Sequence, residues 1–302
     1  MTTLEKIAEE LHKPARKTFP RRKIISLFKD DLWQADLLDI QSYSKYNKGF
    51  KFILIVIDTY TKYVWVKALK NKSAKHVTQG MLNILKKNHP KLLQTDNGTE
   101  FYNKQFQDLM RKYNIKHYST YSGIKAAIAE RVIRTIKSIM YKQFTATGTY
   151  NWYSSISKLI HNYNNTKHRT IKCTPYEARR KSIPLPLLKT KNNLKPKFKI
   201  DDIVRISKNK CTFNKGYKPQ WSTELFTVSK IFPSDPITYS IKDSQNNVVL
   251  GRFYNQELLK TDFPNIYLIE RIIKRKNNNF FVKWLGFDSS HNSWISSEDI
   301  TK

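Results

Sequence analysis

The run from Phe50 to Tyr60, FKFILIVIDTY, limits the fold more than any other stretch of the chain. It is far shorter than the ~18 apolar residues that a membrane-spanning helix requires. So continuous an apolar stretch reads as a buried strand. YTKYVWVKAL, just after it, alternates and reads as its hairpin partner. WQADLLDI, before it, reads as another strand, and PKLLQTDNGTEF as a short strand ending in a turn. Residues 73–88, 103–113, 124–145 and 151–164 read as helices, with IKHYS as a further short strand. This order implies an α/β domain with a mixed sheet flanked by helices.

The chain has 302 residues, with 55 Lys and Arg against 24 Asp and Glu, and a formal net charge of +31. Such an excess calls for a polyanionic partner. Nucleic acid comes first and an anionic membrane surface second. The start, MTTLEKIAEE, lacks the apolar core of a signal peptide, so a soluble intracellular protein, not a secreted one, is expected. Two cysteines, Cys173 and Cys211, make neither a disulfide framework nor a Cys-rich zinc site.

Composition divides the chain into five segments. Residues 1–30 read as a short helix, TLEKIAEELH, and a basic arm carrying Arg16, Lys17, Arg21, Arg22 and Lys23. The arm is either a solvated linker or a DNA-tracking element. Residues 31–180 carry the α/β pattern, and 181–197 form a basic linker in a proline-punctuated, acid-free stretch that includes Arg179 and Arg180. Residues 198–261 hold short strands (DIVRIS, FTVSKI, ITYSIKD, VVLGRFY) spaced as in a small antiparallel barrel. Residues 262–302 hold two strand-like runs and clustered aromatics.

Three acids stand out within 31–180. Asp36 lies on the first strand, Asp96 ends LLQTDNG, and Glu130 opens the long helix, at separations of 60 and 34 positions. Carboxylates from two neighbouring strands and a helix can converge at a sheet edge, where hard oxygen ligands suit Mg²⁺ or Mn²⁺. Two such ions can activate a nucleophile and stabilise the leaving oxygen of a phosphodiester. At roughly 100° per residue, Ile128, Val132, Ile136 and Ile139 share one face of the helix, and Glu130, Arg134, Lys137 and Tyr141 share the opposite one. That face is either an exposed, salt-bridged surface or a place for DNA phosphates. Asp39 reads as a structural or edge carboxylate, Asp58 as a hairpin-turn residue, and Glu100 as a packing or DNA-contact residue.

WQADLLDI, LLQTDNGTEF and KAAIAERVIRTIKSIM together resemble the catalytic core of retrovirus-type integrases, members of the ribonuclease H-like superfamily with a D,D-E triad. The likeness covers roughly residues 31–180. It implies that Asp36, Asp96 and Glu130 are catalytic and hold two Mg²⁺ or Mn²⁺ ions, and that Arg134 and Lys137 contact the element's DNA end. The second spacing is slightly shorter than the retroviral one, which places the difference in the loop around Ser119 to Gly123. The paired His and Cys of the retroviral N-terminal zinc module do not occur here, so no structural zinc is expected.

The segment from FKIDDIVRIS to GRFYNQELLK resembles the SH3-like C-terminal domain of integrases, and NKGYKPQWSTELFTV within it resembles Maverick/Polinton elements and their virophage relatives. VKWLGF and NSW resemble a chromodomain, which implies that Tyr267, Trp284 and Phe287 cage a methylated ammonium and that Trp294 is structural. Ile295 and Ser296 stand where acids are usual in that family, and most of its usual packing helix is missing.

The resemblance as a whole implies a DNA integrase that carries out metal-dependent 3′-end processing and strand transfer into host DNA. Its partners would be element-end DNA, target DNA and a methylated histone tail. It would act as a homo-oligomer, dimer or tetramer, in the host-cell nucleus, with packaging in a virion as an option. The alternatives are a domesticated, non-catalytic DNA- and chromatin-binding protein and a metal-dependent nuclease of the same fold.

Overall fold

The computed structural model describes residues 1–16, 18–119, 126–181, 195–208 and 217–300. Lys17, Cys211 and the loop at 120–125 lie outside the described residues. The chain forms two compact units, residues 24–189 and residues 1–23 together with 190–302.

Helix α1 (Thr3–His12) opens the chain with a capping box: the Thr2 hydroxyl accepts from the Glu5 N–H while the Glu5 carboxylate accepts from the Thr2 N–H. It belongs to the second unit, so the segment expected as one piece over 1–30 divides after residue 23.

The first unit is built on a five-stranded sheet. Its strands are β1 (Leu32–Asp39), β2 (Phe52–Asp58), β3 (Val64–Leu69), β4 (Leu92–Thr95) and β5 (Lys116–Ser119), in the order β3-β2-β1-β4-β5. The first three are antiparallel neighbours, and β4 and β5 run parallel to β1. The sheet is therefore mixed, as expected. Helices α2 (Ala74–Leu85) and α3 (Lys104–Lys112) cover one face, and α4 (Ala127–Thr147) and α5 (Ile156–Asn164) the other. All seven residues of β2 are buried. Phe52, Leu54 and Val56 pack toward α2, while Ile53, Ile55 and Ile57 pack toward α4. This accounts for the unbroken apolar run: a strand covered on both faces has no wet side to alternate with.

Helix α6 (Pro175–Lys181) is the last described element of this unit. Arg179 sits on it with 12% of its side chain exposed and reaches Asp30 at 2.9 Å and Asp58 at 3.4 Å. Its guanidinium also lies 4.5 Å from the Trp65 ring centroid. Asp58 is fully buried and accepts from the Tyr60 N–H and the Thr61 hydroxyl, so it locks the hairpin turn from inside. Arg179 is thus a packing residue and not part of a solvated basic run.

In the second unit, β6 (Ile203–Ile206), β7 (Phe226–Phe232), β8 (Thr238–Lys242), β9 (Phe253–Tyr254) and β10 (Leu258–Lys260) form an antiparallel sheet in the order β10-β6-β7-β8-β9. Phe198, Val204, Val228, Tyr239, Ile241 and Leu258 fill its core. VVLGRFY, expected as one strand, contributes only an isolated bridge at Val248 and the two residues of β9. Helix α1 packs here through Ile7 and Leu11 against Trp221. Between them runs a buried ion pair, Glu10 Oε1 to Arg205 Nε at 2.6 Å, with both side chains 2% exposed.

A three-stranded sheet, β11 (Ile269–Lys276), β12 (Asn279–Trp284) and β13 (Ser293–Ser296), completes the chain. Val282 is its one buried residue among those described. Trp294, expected to be structural, packs on Phe281 at 5.3 Å but stays 48% exposed.

Candidate catalytic carboxylates and their neighbours

Asp36 sits mid-way along β1, paired across the sheet with Ile55. Asp96 directly follows β4, the parallel neighbour of β1. Glu130 lies in the first turn of α4, which packs on β1 and β2. The three acids thus lie on β1, just after β4 and in the first turn of α4. Burial pushes the half-buried Asp36 carboxyl up to about 6, and the charges of Asp96, Glu130 and Glu100 add to the rise. Asp36 therefore feels the charges of three other acids, and none of the four forms an ion pair with a Lys, Arg or His among the described residues.

No three His, Cys, Asp or Glu side chains close to metal-holding distance among the described residues. Two of the acids are turned into their own backbone: Asp36 Oδ1 accepts from the Leu37 N–H at 2.7 Å, and Asp96 Oδ1 from the Gly98 N–H at 3.1 Å. Mutual repulsion favours this splayed arrangement. The donor set fits Mg²⁺ or Mn²⁺ by chemistry, since it is all hard oxygen and its uncompensated negative charge is what a divalent cation would neutralise.

The turn after Asp96 is tight. A Cβ on Gly98 would fall 2.6 Å from the Glu100 carboxylate, so glycine lets Glu100 fold back toward Asp96. His117 on β5 shares a hydrogen bond with the Thr95 hydroxyl at 2.9 Å, and burial holds its pKa down to about 4. It is therefore neutral at pH 7.

Gln34 is the residue that sequence reasoning passed over. It is fully buried two positions before Asp36. Helix α4 begins at Ala126 without a side-chain cap. Gln34 Oε1 supplies one across the sheet, accepting from the Ile128 and Ala129 N–H groups at 3.0 Å each. Its Nε2 donates to Gln94 Oε1 at 2.8 Å, two residues before Asp96. One amide thus ties together the three elements that carry the acids. The only signal in the sequence is a polar residue inside an apolar strand. Gln34→Leu should leave two helix-end N–H groups buried and unsatisfied, at about 1–3 kcal/mol each. The expected result is a lowered melting temperature and faster hydrogen exchange at 127–130; unchanged exchange there would remove Gln34 from this role.

The α4 stripe is shifted from the expected one. Ala129, Val132, Ile136, Met140 and Phe144 are buried, while Ile139 is 39% exposed. Glu130, Arg134 and Lys137 are exposed, one helical turn after another. In the basic arm, Arg16, Arg22 and Lys23 are exposed. Arg21 is engaged with Glu257 at 3.6 Å and lies over the Phe19 ring at 4.5 Å. Asp39 is exposed and accepts from the Gln41 N–H, as expected of an edge carboxylate.

Tyr267, Trp284 and Phe287 come together. Tyr267 stands 6.0 Å from Trp284 at 64° and 5.8 Å from Phe287 at 69°. The Trp284 indole N–H donates to Ser293 Oγ at 3.0 Å, which fixes that ring.

Residues 29–123 match the Integrase core domain family. A transposon-derived protein of Caenorhabditis elegans is 30% identical over 221 residues, covering 72% of this chain and 74% of that protein. The Pol polyprotein of Radiation murine leukemia virus is 30% identical over 151 residues, 48% of this chain and 25% of that much longer protein. In fold, the chain is similar to a chain of the simian T-cell lymphotropic virus intasome in complex with the PP2A regulatory subunit B56 gamma. The TM-score is 0.62 at 17% identity, over 88% of this chain and 93% of that one. With the mixed sheet and these relatives in hand, the chain belongs with the transposon-derived proteins, and its residues 29–123 are an integrase core domain.

Proposed function

We propose that this chain is an active DNA integrase. It would trim the 3′ ends of element DNA with water and then use the freed 3′-OH to attack target DNA in the host nucleus, both as in-line phosphoryl transfers. The observation that carries the reading is the placing of Asp36 on β1, Asp96 just after β4 and Glu130 at the start of α4, near enough for the other two charges to raise the Asp36 pKa, with no ion pair to any of them among the described residues. These three would hold two Mg²⁺ or Mn²⁺ ions, which when bound lower the pKa of an attacking oxygen and neutralise charge on the leaving one. The protein's own part is positional. Gln34 fixes the helix carrying Glu130 to the strand carrying Asp36. Arg134 and Lys137, exposed beyond Glu130 on α4, offer cations to the phosphates of a DNA end. Arg16, Arg22 and Lys23 offer more, while Arg21 is already held by Glu257.

The antiparallel sheet of the second unit serves in this reading as an SH3-like DNA-binding and assembly module. The β11-β12-β13 sheet serves as a chromodomain-like reader of a methylated histone tail. Two DNA ends must be held together, so the active form is a dimer or tetramer. The source is a Maverick/Polinton-type element or a related virus, on the strength of the NKGYKPQWSTELFTV stretch.

The test of the whole reading is a strand-transfer assay with the element's terminal DNA, Mg²⁺ or Mn²⁺ and a supercoiled target. Joined products are expected. Nicks without joining would indicate a nuclease, and tight salt-sensitive binding without either would indicate a domesticated DNA-binding protein. For the reader module, Trp284→Ala is expected to weaken binding to trimethyl-lysine peptides about 10-fold or more, since cation–π contacts in a desolvated cage contribute about 2 kcal/mol. Equal, weak binding of methylated and unmethylated peptides by the wild type would remove that module's assignment.

A further inference from the structure

The flank of α4 that carries Glu130 does not end at Lys137. At 100° per residue, Tyr141 continues the line, roughly 16 Å along the helix from Glu130. There it meets aromatic residues from two other segments. Tyr43 is stacked on Tyr150 at 5.0 Å and 22°, and Tyr46 lies 5.6 Å from Tyr150. The Tyr43 hydroxyl donates to the Tyr141 hydroxyl at 3.3 Å. Tyr46, Tyr141 and Tyr150 are 48%, 47% and 45% exposed. Exposed clustered rings of this kind mark a contact surface.

The patch is held in place from below. Asn47 is 1% exposed. Its side chain donates to the Tyr43 and Tyr150 carbonyls at 2.7 and 2.9 Å and accepts from the Trp152 and Tyr153 N–H groups at 2.8 and 2.9 Å. The ring platform is therefore organised before any ligand arrives, which lowers the entropy cost of binding.

Charge identifies the ligand class. The sequence has no Asp or Glu between Asp39 and Asp58, and none between Glu130 and Glu177. Both segments that build the patch fall inside these acid-free stretches. Lys45 lies over the Tyr46 ring at 5.0 Å and Lys48 over the Tyr153 ring at 5.8 Å. Exposed aromatic rings interleaved with lysines, with no acid among them, are the pattern that stacks unpaired bases while tracking their phosphates. An ordinary protein contact surface of this size has no reason to exclude every acid.

We infer that Tyr46, Tyr141 and Tyr150, with Lys45 and Lys48, form a stacking site for unpaired nucleotides of DNA that reaches the carboxylate cluster. The inference rests on the reading of Asp36, Asp96 and Glu130 as the place of DNA chemistry. The distance from Glu130 corresponds to about five stacked nucleotides at about 3.4 Å each. A frayed or processed strand leaving the carboxylates would reach the platform directly.

The test uses the full chain in EDTA, so that it does not depend on catalysis. A short oligothymidine carrying 5-iododeoxyuridine is bound at about 0.4 M salt, where phosphate contacts alone are strongly weakened, and crosslinked by light. Crosslinks mapping to Tyr46, Tyr141 or Tyr150 are expected. The double substitution Tyr46→Ala with Tyr150→Ala should lower affinity about 10-fold or more, while Tyr46→Phe with Tyr150→Phe, which keeps both rings, should bind like wild type. Equal affinity in the alanine variant, or crosslinks confined to other residues, overturns the inference. So does a change of oligomeric state in that variant without loss of oligonucleotide binding, which would make the patch a protein contact. Failure of Glu130→Gln to affect strand transfer would sink the catalytic reading and leave these binding results standing.

Discussion

Asp36→Asn and Glu130→Gln should each reduce strand transfer by at least about 10³-fold while leaving DNA binding within a few-fold of wild type. Removing one carboxylate takes away an ionic ligand from the place where phosphoryl charge develops, and such losses cost several kcal/mol of transition-state stabilisation. Binding is carried elsewhere, by the lysines and arginines that give the chain its net charge of +31. Strand-transfer yield, read beside filter binding on the same DNA, separates the two. Retained joining in either variant would disprove the triad.

The same Asp36→Asn change should raise the melting temperature of the metal-free protein. Folding raises the Asp36 pKa from 3.8 to about 6, through burial first and the neighbouring acids second. The folded state therefore holds this proton more tightly than the unfolded one. The site favours folding below about pH 4, and that advantage is lost as pH rises toward 6. At pH 7 the ionised carboxylate opposes folding by about 2 kcal/mol, allowing for partial solvent access. The asparagine variant should gain most of that at pH 7 and none at pH 4. Added Mg²⁺ should stabilise wild type more than the variant. An activity-dead variant that is more stable than its parent is a result a merely structural aspartate would not give.

Glu10→Ala should be the most destabilising single change outside the two sheet cores. Arg205 is 1% exposed, and its guanidinium is satisfied by Glu10 and by the carbonyls of Ser222 and Thr223. Glu10 also accepts from the Thr261 hydroxyl at 2.7 Å and the Asp262 N–H at 3.1 Å. Removing it leaves a buried cation without a counter-ion, at about 3–5 kcal/mol. A calorimetric transition from the second unit should fall by about 10 °C or more, with the first unit's transition in place. Replacing both Glu10 and Arg205 by Met should recover much of the loss, because the cost lies in the stranded charge. An unchanged transition in Glu10→Ala would mean that the pair contributes nothing. Acid should loosen the same joint. Burial pushes the Glu10 carboxyl up, but hydrogen bonds from Arg205, Thr261 and Asp262 outweigh it and the net pKa is lowered. Its stabilisation is thus present above the ordinary glutamate range and is lost as pH falls through the folded value.

The elements of the first unit were legible because their signals are local. The apolar run at Phe50–Tyr60 is β2, the turn residues after Asp96 end β4, and the periodicity after Lys125 is α4. What escaped was held by distant partners. Arg179 looked like one more cation in a basic stretch until its acid, 149 positions earlier, was placed beside it. Gln34 caps a helix 95 positions later. Glu10 sits in a segment that reads only as a short helix, and its arginine is 195 positions on. Neither periodicity nor composition carries such pairings, since both describe neighbours along the chain. Ile139 was misassigned for a smaller reason: a shift of one position along a helix is 100°, and only the packed sheet decides which side is covered.

The tie between Glu10 and Arg205 also sets an order of events during synthesis. Helix α1 is made first of the two, and its strand partner follows only after residues 24–189 have been translated. At roughly 5–20 residues per second that interval is about 10–40 s. Through all of it the apolar face of α1, with Ile7 and Leu11, has no finished surface to cover it. The first unit, residues 24–189, has no such wait. A nascent chain is therefore expected to pass through a stage with a formed ribonuclease H-like body and a greasy, unattached α1, a natural client for chaperones on the ribosome.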